Sequence, residues 1–207
     1  MSRALPAAAM RCITLQELVH LGMLYAPSLT RAATHYGRSV KLYLHWSAGH
    51  YGQFFEDYHV QIDADGAVYV IGGGALDDVL AATYLRNSGS VSLCLLGCAQ
   101  AGTEDLGKEP PTALQIEAMA QASAALAAGL HLPIDIAHVM THGEAADNED
   151  GLTPHAPYGP KNGCERWDLE YLDTAESPCF NPWASGGTRG GDVLRGKALW
   201  YQELLWR

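Results

Sequence analysis

The chain predicts an α/β fold: a single domain built on a central mixed β-sheet flanked by helices. Strand-like apolar runs recur near residues 40–45, 58–71, 90–96 and 136–142, and they alternate with helix-forming segments. Two of those segments open on a Thr-x-x-Glu or Thr-x-x-Gln capping signal. No internal repeat or low-complexity linker divides the 207 residues, so one core is expected. Residues 1–36 read as an N-terminal helical extension, 37–175 as the principal domain, and 176–207 as a loop and helix packing on that domain.

The elements follow in order. Thr14-Leu15-Gln16-Glu17 opens a helix expected to reach about residue 25, because Pro27 lacks the N–H that would continue it. Apolar Val40, Leu42 and Leu44 then alternate with Lys41, Tyr43 and His45, the pattern of a strand with one face buried. His45 ends that strand on the less apolar face, and the small residues of Ser47-Ala48-Gly49 leave room beside it. Residues 58–62 should pair with 68–71 as a hairpin across Asp65-Gly66. Residues 77–84 read as helical, and 90–96 as a buried central strand. Thr112-Ala113-Leu114-Gln115 caps an alanine-rich helix expected to stop at Gly129, with Met119 and Leu126 in the core. A last strand over 136–142 ends in His142, and residues 143–165 form a long loop walling a cleft. Gly and Pro density between 178 and 191 predicts an irregular excursion before a terminal helix over 194–205.

Among nine histidines, His45 and His142 stand out because each terminates a strand, where a side chain has a fixed direction. Asp168 follows a loop rich in Gly, Pro and Asn. Two imidazoles and one carboxylate make a three-ligand zinc set with one open position, which is hydrolytic chemistry: zinc lowers the pKa of bound water to about 7 and polarises a carbonyl. His50 and His59 read as residues that pack or that support the ligands from behind, rather than as ligands themselves.

Four segments in sequence order carry a family resemblance. They are Leu44-His45-Trp46-Ser47-Ala48-Gly49, Asp57-Tyr58-His59-Val60-Gln61-Ile62-Asp63, Arg86-Asn87-Ser88-Gly89-Ser90-Val91-Ser92-Leu93 and Thr141-His142-Gly143-Glu144. With Tyr158-Gly159-Pro160 and Arg166-Trp167-Asp168-Leu169, the stretch from Val40 to Leu172 resembles the zinc-dependent N-acetylmuramoyl-L-alanine amidases, the family of phage amidase-lysozymes and peptidoglycan recognition proteins, in a branch common in bacterial and prophage proteins. The resemblance implies a Zn2+ cofactor held by His45, His142 and Asp168, and a peptidoglycan substrate cut between N-acetylmuramic acid and L-alanine. Cys164 is the rival third ligand; Asp168 is preferred because the family's basic catalytic residue lies two positions before that ligand, where Arg166 stands. Relatives carry lysine there. Arg166 is permanently charged, so its implied role is electrostatic support of the oxyanion, to which Tyr58 would add a hydrogen bond. Glu144 is the expected general base, on the reasoning that residues two apart on an extended segment point the same way, beside His142. Other members place a glutamate and a histidine where this chain has Cys94 and Ala82. A non-catalytic peptidoglycan-binding module of the same fold is the alternative. A zinc deaminase, suggested by His142-Gly143-Glu144, lacks its Pro-Cys-x-x-Cys partner.

A net charge of −10 argues against nucleic acid as a partner. Five cysteines without a Cys-x-x-Cys pair fit free thiols. The opening residues are too weakly apolar for a secretory signal, and no run reaches the roughly 18 apolar residues of a membrane span. Synthesis in the cytoplasm, with release by a holin or carriage in a virion as an endolysin, is therefore expected. In the tail, Trp183, Trp200 and Trp206 either pack on the domain or contact glycan.

Overall fold

The architecture is a single domain with a central mixed β-sheet flanked by helices. It is seen in a computed structural model that describes residues 3–102, 105–154, 167–178 and 188–205. The strands are β1 (Ala4–Leu5), β2 (Met10–Cys12), β3 (Lys41–Trp46), β4 (Phe54–Phe55), β5 (Val60–Ile62), β6 (Val68–Ile71), β7 (Ser90–Leu95) and β8 (Val139–Thr141). The helices are α1 (Leu15–His35), α2 (Ala113–Leu130), α3 (His142–Ala146) and α4 (Gly190–Leu205). Six strands form the main sheet in the order β2-β6-β5-β7-β3-β8, while β1 pairs separately with β4. The β5-β7-β3-β8 half is parallel and the β2-β6-β5 half antiparallel.

Alternation along the parallel strands sorts the side chains. Leu42 and Leu44 of β3, Val91, Leu93 and Leu95 of β7, and Val60 and Ile62 of β5 join one large core with α1, α2 and α4. Tyr43, His45, Ser92 and Cys94 therefore face the opposite side. That side is also covered: Tyr43 packs with Met140 and Ala145, and Cys94 with Tyr58, Phe54 and Phe55. The expectation that β3 exposes one face is corrected accordingly, since all six of its residues are buried. Lys41 meets its burial by donating to the Ala137 carbonyl, and burial pushes its ammonium pKa down.

The helices depart from the sequence expectation in informative ways. The first begins at its capping box, where the Thr14 hydroxyl accepts from Glu17 N and Glu17 answers on Thr14 N. It then runs through Pro27 to His35. Pro27 lies on an exposed face, where water can satisfy the carbonyl that loses its donor, and the apolar stripe resumes with buried Leu29 and Ala33. Likewise α2 does not stop at Gly129: it ends one residue later, and His131 takes the left-handed cap conformation with φ 55°. Gly129 instead marks where α1 and α2 touch, because a Cβ there would lie 2.4 Å from the Val19 carbonyl oxygen and 3.1 Å from Gly22 Cα.

Residues 77–84 are not helical. Their backbone is committed elsewhere: Asp78 O pairs with the His59 ring, and Thr83 N donates to the Asn87 side chain. Residues 4–12, expected to belong to a helical extension, are mostly extended, and β2 completes the edge of the main sheet. The terminal helix begins at Gly190, before the expected residue 194. No helix among the described residues is long and apolar enough to cross a membrane.

Candidate metal centre

The site forms where β3 and β8 end side by side. The parallel pairing sets Leu44 opposite Thr141, so the residues that follow, His45 within β3 and His142 at the start of α3, emerge at the same level. Beyond β8 the chain turns into α3 through a capping box in which Thr141 Oγ1 accepts from Glu144 N and Glu144 Oε2 accepts from Thr141 N. Asp168 is brought in by Gly143 N, which donates to the Asp168 carbonyl at 3.1 Å.

His45 Nδ1, His142 Nδ1 and Asp168 Oδ2 converge in a nearly equilateral triangle with sides of 3.2, 3.2 and 3.3 Å. His45 and Asp168 are fully buried, and His142 is 5% exposed. Ligand atoms about 2.0–2.1 Å from a tetrahedral ion lie about 3.3–3.4 Å apart, so the triangle has the dimensions of one face of such a site. Hydrogen bonding alone fits less well, because two Nδ1 protons aimed at one carboxylate oxygen would also face each other. The three side chains could hold a metal ion.

Thr83 Oγ1 lies 3.2 Å from His45 Nε2. With the Nδ1 lone pair given to a metal, Nε2 carries the proton and donates to Thr83, which fixes the tautomer and the ring angle. Tyr58 is 2% exposed, with its ring centroid 5.3 Å from that of His45. Cys94 sits beside His45 on the neighbouring strand. His59 is a packing residue: Nδ1 accepts from Ser92 N at 3.0 Å, and Nε2 therefore donates to Asp78 O at 2.9 Å. Burial lowers its pKa to about 4, so it is neutral at pH 7. His50 stays at the surface in a 3.0 Å pair with Glu109.

Glu144 requires a correction. The segment after His142 is helical, so residues two apart point to different sides, and the extended-strand reasoning that set Glu144 beside His142 does not apply. Both carboxylate oxygens are instead held at 2.7 Å by the Arg195 guanidinium of α4, inside a fully buried setting. Arg166 and its flanking motif Tyr158-Gly159-Pro160, and the rival ligand Cys164, lie outside the described residues.

Charged groups that the sequence reading did not single out frame the centre. Arg86 is buried against Asp150 at 2.7 Å and Asn148 at 2.9 Å, and Tyr43 donates to the same aspartate at 2.9 Å. This ties the chain after α3 to the stretch leading into β7. Arg189 gathers Asp147, Glu149 and Glu170. Burial pushes the Glu170 carboxyl up to about 7, with Arg189 opposing the shift. Arg189 and Arg195 thus fasten α4 and its approach to the segments that carry His142 and Asp168. Only the Thr141/Glu144 capping box left a local signature, a Thr-x-x-Glu spelling. The long-range ion pairs left none.

No protein-family model matches the chain, and no curated protein matches it by sequence. Among solved structures it is similar to the endolysin N-acetylmuramoyl-L-alanine amidase LysCS from Clostridium intestinale URNW, at 14% identity and a TM-score of 0.38, over 58% of this chain and 75% of that one. It is similar to N-acetylmuramoyl-L-alanine amidase LysC from the same organism at the same identity and score, over 58% of this chain and 76% of that one.

Proposed function

We propose that the protein is a zinc-dependent N-acetylmuramoyl-L-alanine amidase that acts on peptidoglycan as an endolysin-type wall hydrolase. The observation that carries this reading is the buried triangle of His45 Nδ1, His142 Nδ1 and Asp168 Oδ2, whose 3.2–3.3 Å sides suit a tetrahedral ion. The sequence resemblance of residues 40–172 supplies the substrate class. When bound, zinc supplies a hydroxide near neutral pH and polarises the scissile carbonyl.

The chain's own residues have separate tasks. Thr83 holds the His45 ring in its ligating tautomer. Tyr58, packed against that ring, would donate a hydrogen bond to the carbonyl oxygen of the substrate, and Arg166 would offset the negative charge that develops there. Glu144 is assigned to support rather than proton transfer, because its oxygens are taken by Arg195 and Thr141 N.

The test is digestion of purified peptidoglycan with the zinc-loaded protein, with and without a chelator, and product identification by mass spectrometry. Chelator-sensitive release of stem peptides from intact glycan strands is expected. Wall binding without cleavage would overturn the enzyme reading in favour of a recognition module, with Cys94 and Ala82 as the first residues to examine.

A further inference from the structure

Outside the metal centre, the second half of α4 carries a feature that the proposed hydrolysis does not use. A hollow of about 500 Å³ is lined by Glu117 of α2 and by Gly196, Lys197, Trp200 and Tyr201 of α4. Trp200 is 58% exposed, an unusual setting for the largest apolar side chain. Its ring is braced by Tyr201, edge to face at 4.8 Å and 74°. Glu117 receives the Lys197 ammonium at 2.6 Å and the Tyr201 hydroxyl at 2.7 Å. The hollow therefore joins a presented aromatic face to a compact set of hydrogen-bonding groups.

Gly196 adds an independent observation. Glycine is the poorest residue for a helix interior after proline, so one within α4 calls for a reason. Close packing is not that reason, since a Cβ at Gly196 would meet nothing within 4 Å. On a helix, residues four apart are neighbours on one face, so the missing side chain at 196 leaves open the space beside Trp200. Any larger residue would extend into the hollow.

We infer that this hollow is a glycan-binding platform, with Trp200 stacking on the C–H face of a neutral amino-sugar chain while Glu117, Lys197 and Tyr201 bond its hydroxyl and amide groups. Neutrality follows from the pairing: the Lys197 and Glu117 charges offset each other, leaving no surplus cation among the described lining residues for a phosphate or carboxylate. The net charge of −10 disfavours a polyanion as well. A sugar presents alternating apolar C–H faces and equatorial donors and acceptors, the complement of this surface. The choice of an N-acetylated hexosamine rests on the peptidoglycan reading; the aromatic platform itself does not. Because Arg195, five residues before Trp200, contacts Glu144, a strand held here lies on the helix that buttresses the metal centre.

The test measures binding of a labelled β-1,4-linked N-acetylglucosamine tetramer to the full chain by fluorescence polarisation; the tetramer has no muramoyl–alanine amide, so the proposed hydrolysis does not intervene. Trp200→Ala is expected to weaken binding about tenfold or more. Gly196→Leu should weaken it similarly while raising the thermal midpoint, because leucine favours the helix and fills the hollow. A purely structural glycine predicts no change in binding. Release of stem peptide from a small soluble muramoyl peptide by the otherwise wild-type chain should be unchanged in both variants. Absence of tetramer binding, or binding insensitive to both substitutions, overturns the platform, as does concentration-dependent self-association through Trp200 with no sugar uptake. Tetramer binding through Trp200 without stem-peptide release would uphold the platform and defeat the amidase reading; release with no Trp200-dependent binding would do the reverse.

Discussion

Replacing Glu144 separates a buried structural ion pair from a proton-transfer group. Glu144 is fully buried and Arg195 is 7% exposed, and the two meet through a pair of 2.7 Å contacts. Glu144→Ala strands the guanidinium with the Val139 carbonyl and Asp192 as its remaining partners, and it also removes the acceptor for Thr141 N. Breaking one side of a buried pair costs about 3–5 kcal/mol. For a domain of this size that lowers the thermal midpoint by roughly 6–20 °C, at about 2–4 °C per kcal/mol. Replacing both partners with apolar residues of similar shape should recover much of the loss, so that the coupling in a double-mutant cycle is about 3 kcal/mol or more. Calorimetry on wild type, Glu144→Leu, Arg195→Met and the double variant measures this, with peptidoglycan hydrolysis followed in parallel. A Glu144→Gln protein as stable as wild type but devoid of hydrolysis would refute the assignment and restore Glu144 as the general base.

Other outcomes follow from the same geometry. Zinc should raise the unfolding free energy by about 2.7 kcal/mol at a hundredfold excess over its dissociation constant, and His45→Ala or Asp168→Ala should abolish both this increment and bound zinc measured by elemental analysis. Gly129→Ala should cost about 1–3 kcal/mol in urea unfolding, because its Cβ would sit 2.4 Å from the Val19 carbonyl oxygen; an unchanged midpoint would mean that the two helices separate freely. Burial holds the folded pKa of His59 at about 4, against an ordinary histidine value of 6.5. Because the unfolded chain takes up the proton first, stability should fall as pH drops from about 6.5 to 4, by about 3 kcal/mol. That loss should be absent in His59→Gln when urea unfolding is compared across the range.

Local signals in the sequence were faithful where one residue type decides a local geometry. The capping boxes at Thr14 and Thr112 start their helices, and the Asp65-Gly66 hairpin and the buried β7 run follow their patterns. Stop signals failed where tertiary contact outweighed them. Pro27 is tolerated because its missing bond faces water, and Gly129 serves a helix crossing rather than a helix end. Residues 77–84 have helix-compatible composition, but His59 and Asn87 claim their backbone, which no window of sequence discloses. His45 and His142 were legible as strand-terminal side chains and Asp168 through the family resemblance, whereas Arg86 with Asp150, and Arg195 with Glu144, are partnerships over 64 and 51 residues that only the folded chain makes visible.

The spacing of the three converging side chains also orders events during synthesis. His45 and His142 are separated by 97 positions and His142 and Asp168 by 26, while β3 waits for both of its sheet neighbours to be made. A nascent chain that has emerged only through β7 offers a lone imidazole, too weak a ligand to retain zinc. Under the proposed zinc reading, metal acquisition would thus be a late event, set by completion of the sheet rather than by metal supply during translation. Once acquired, an ion would act as a clasp across loops of 97 and 26 residues, where random closure is entropically costly. Chelation should therefore loosen the edge of the sheet at β8 first, giving hydrogen exchange there a metal dependence that the β5-β6 hairpin does not share.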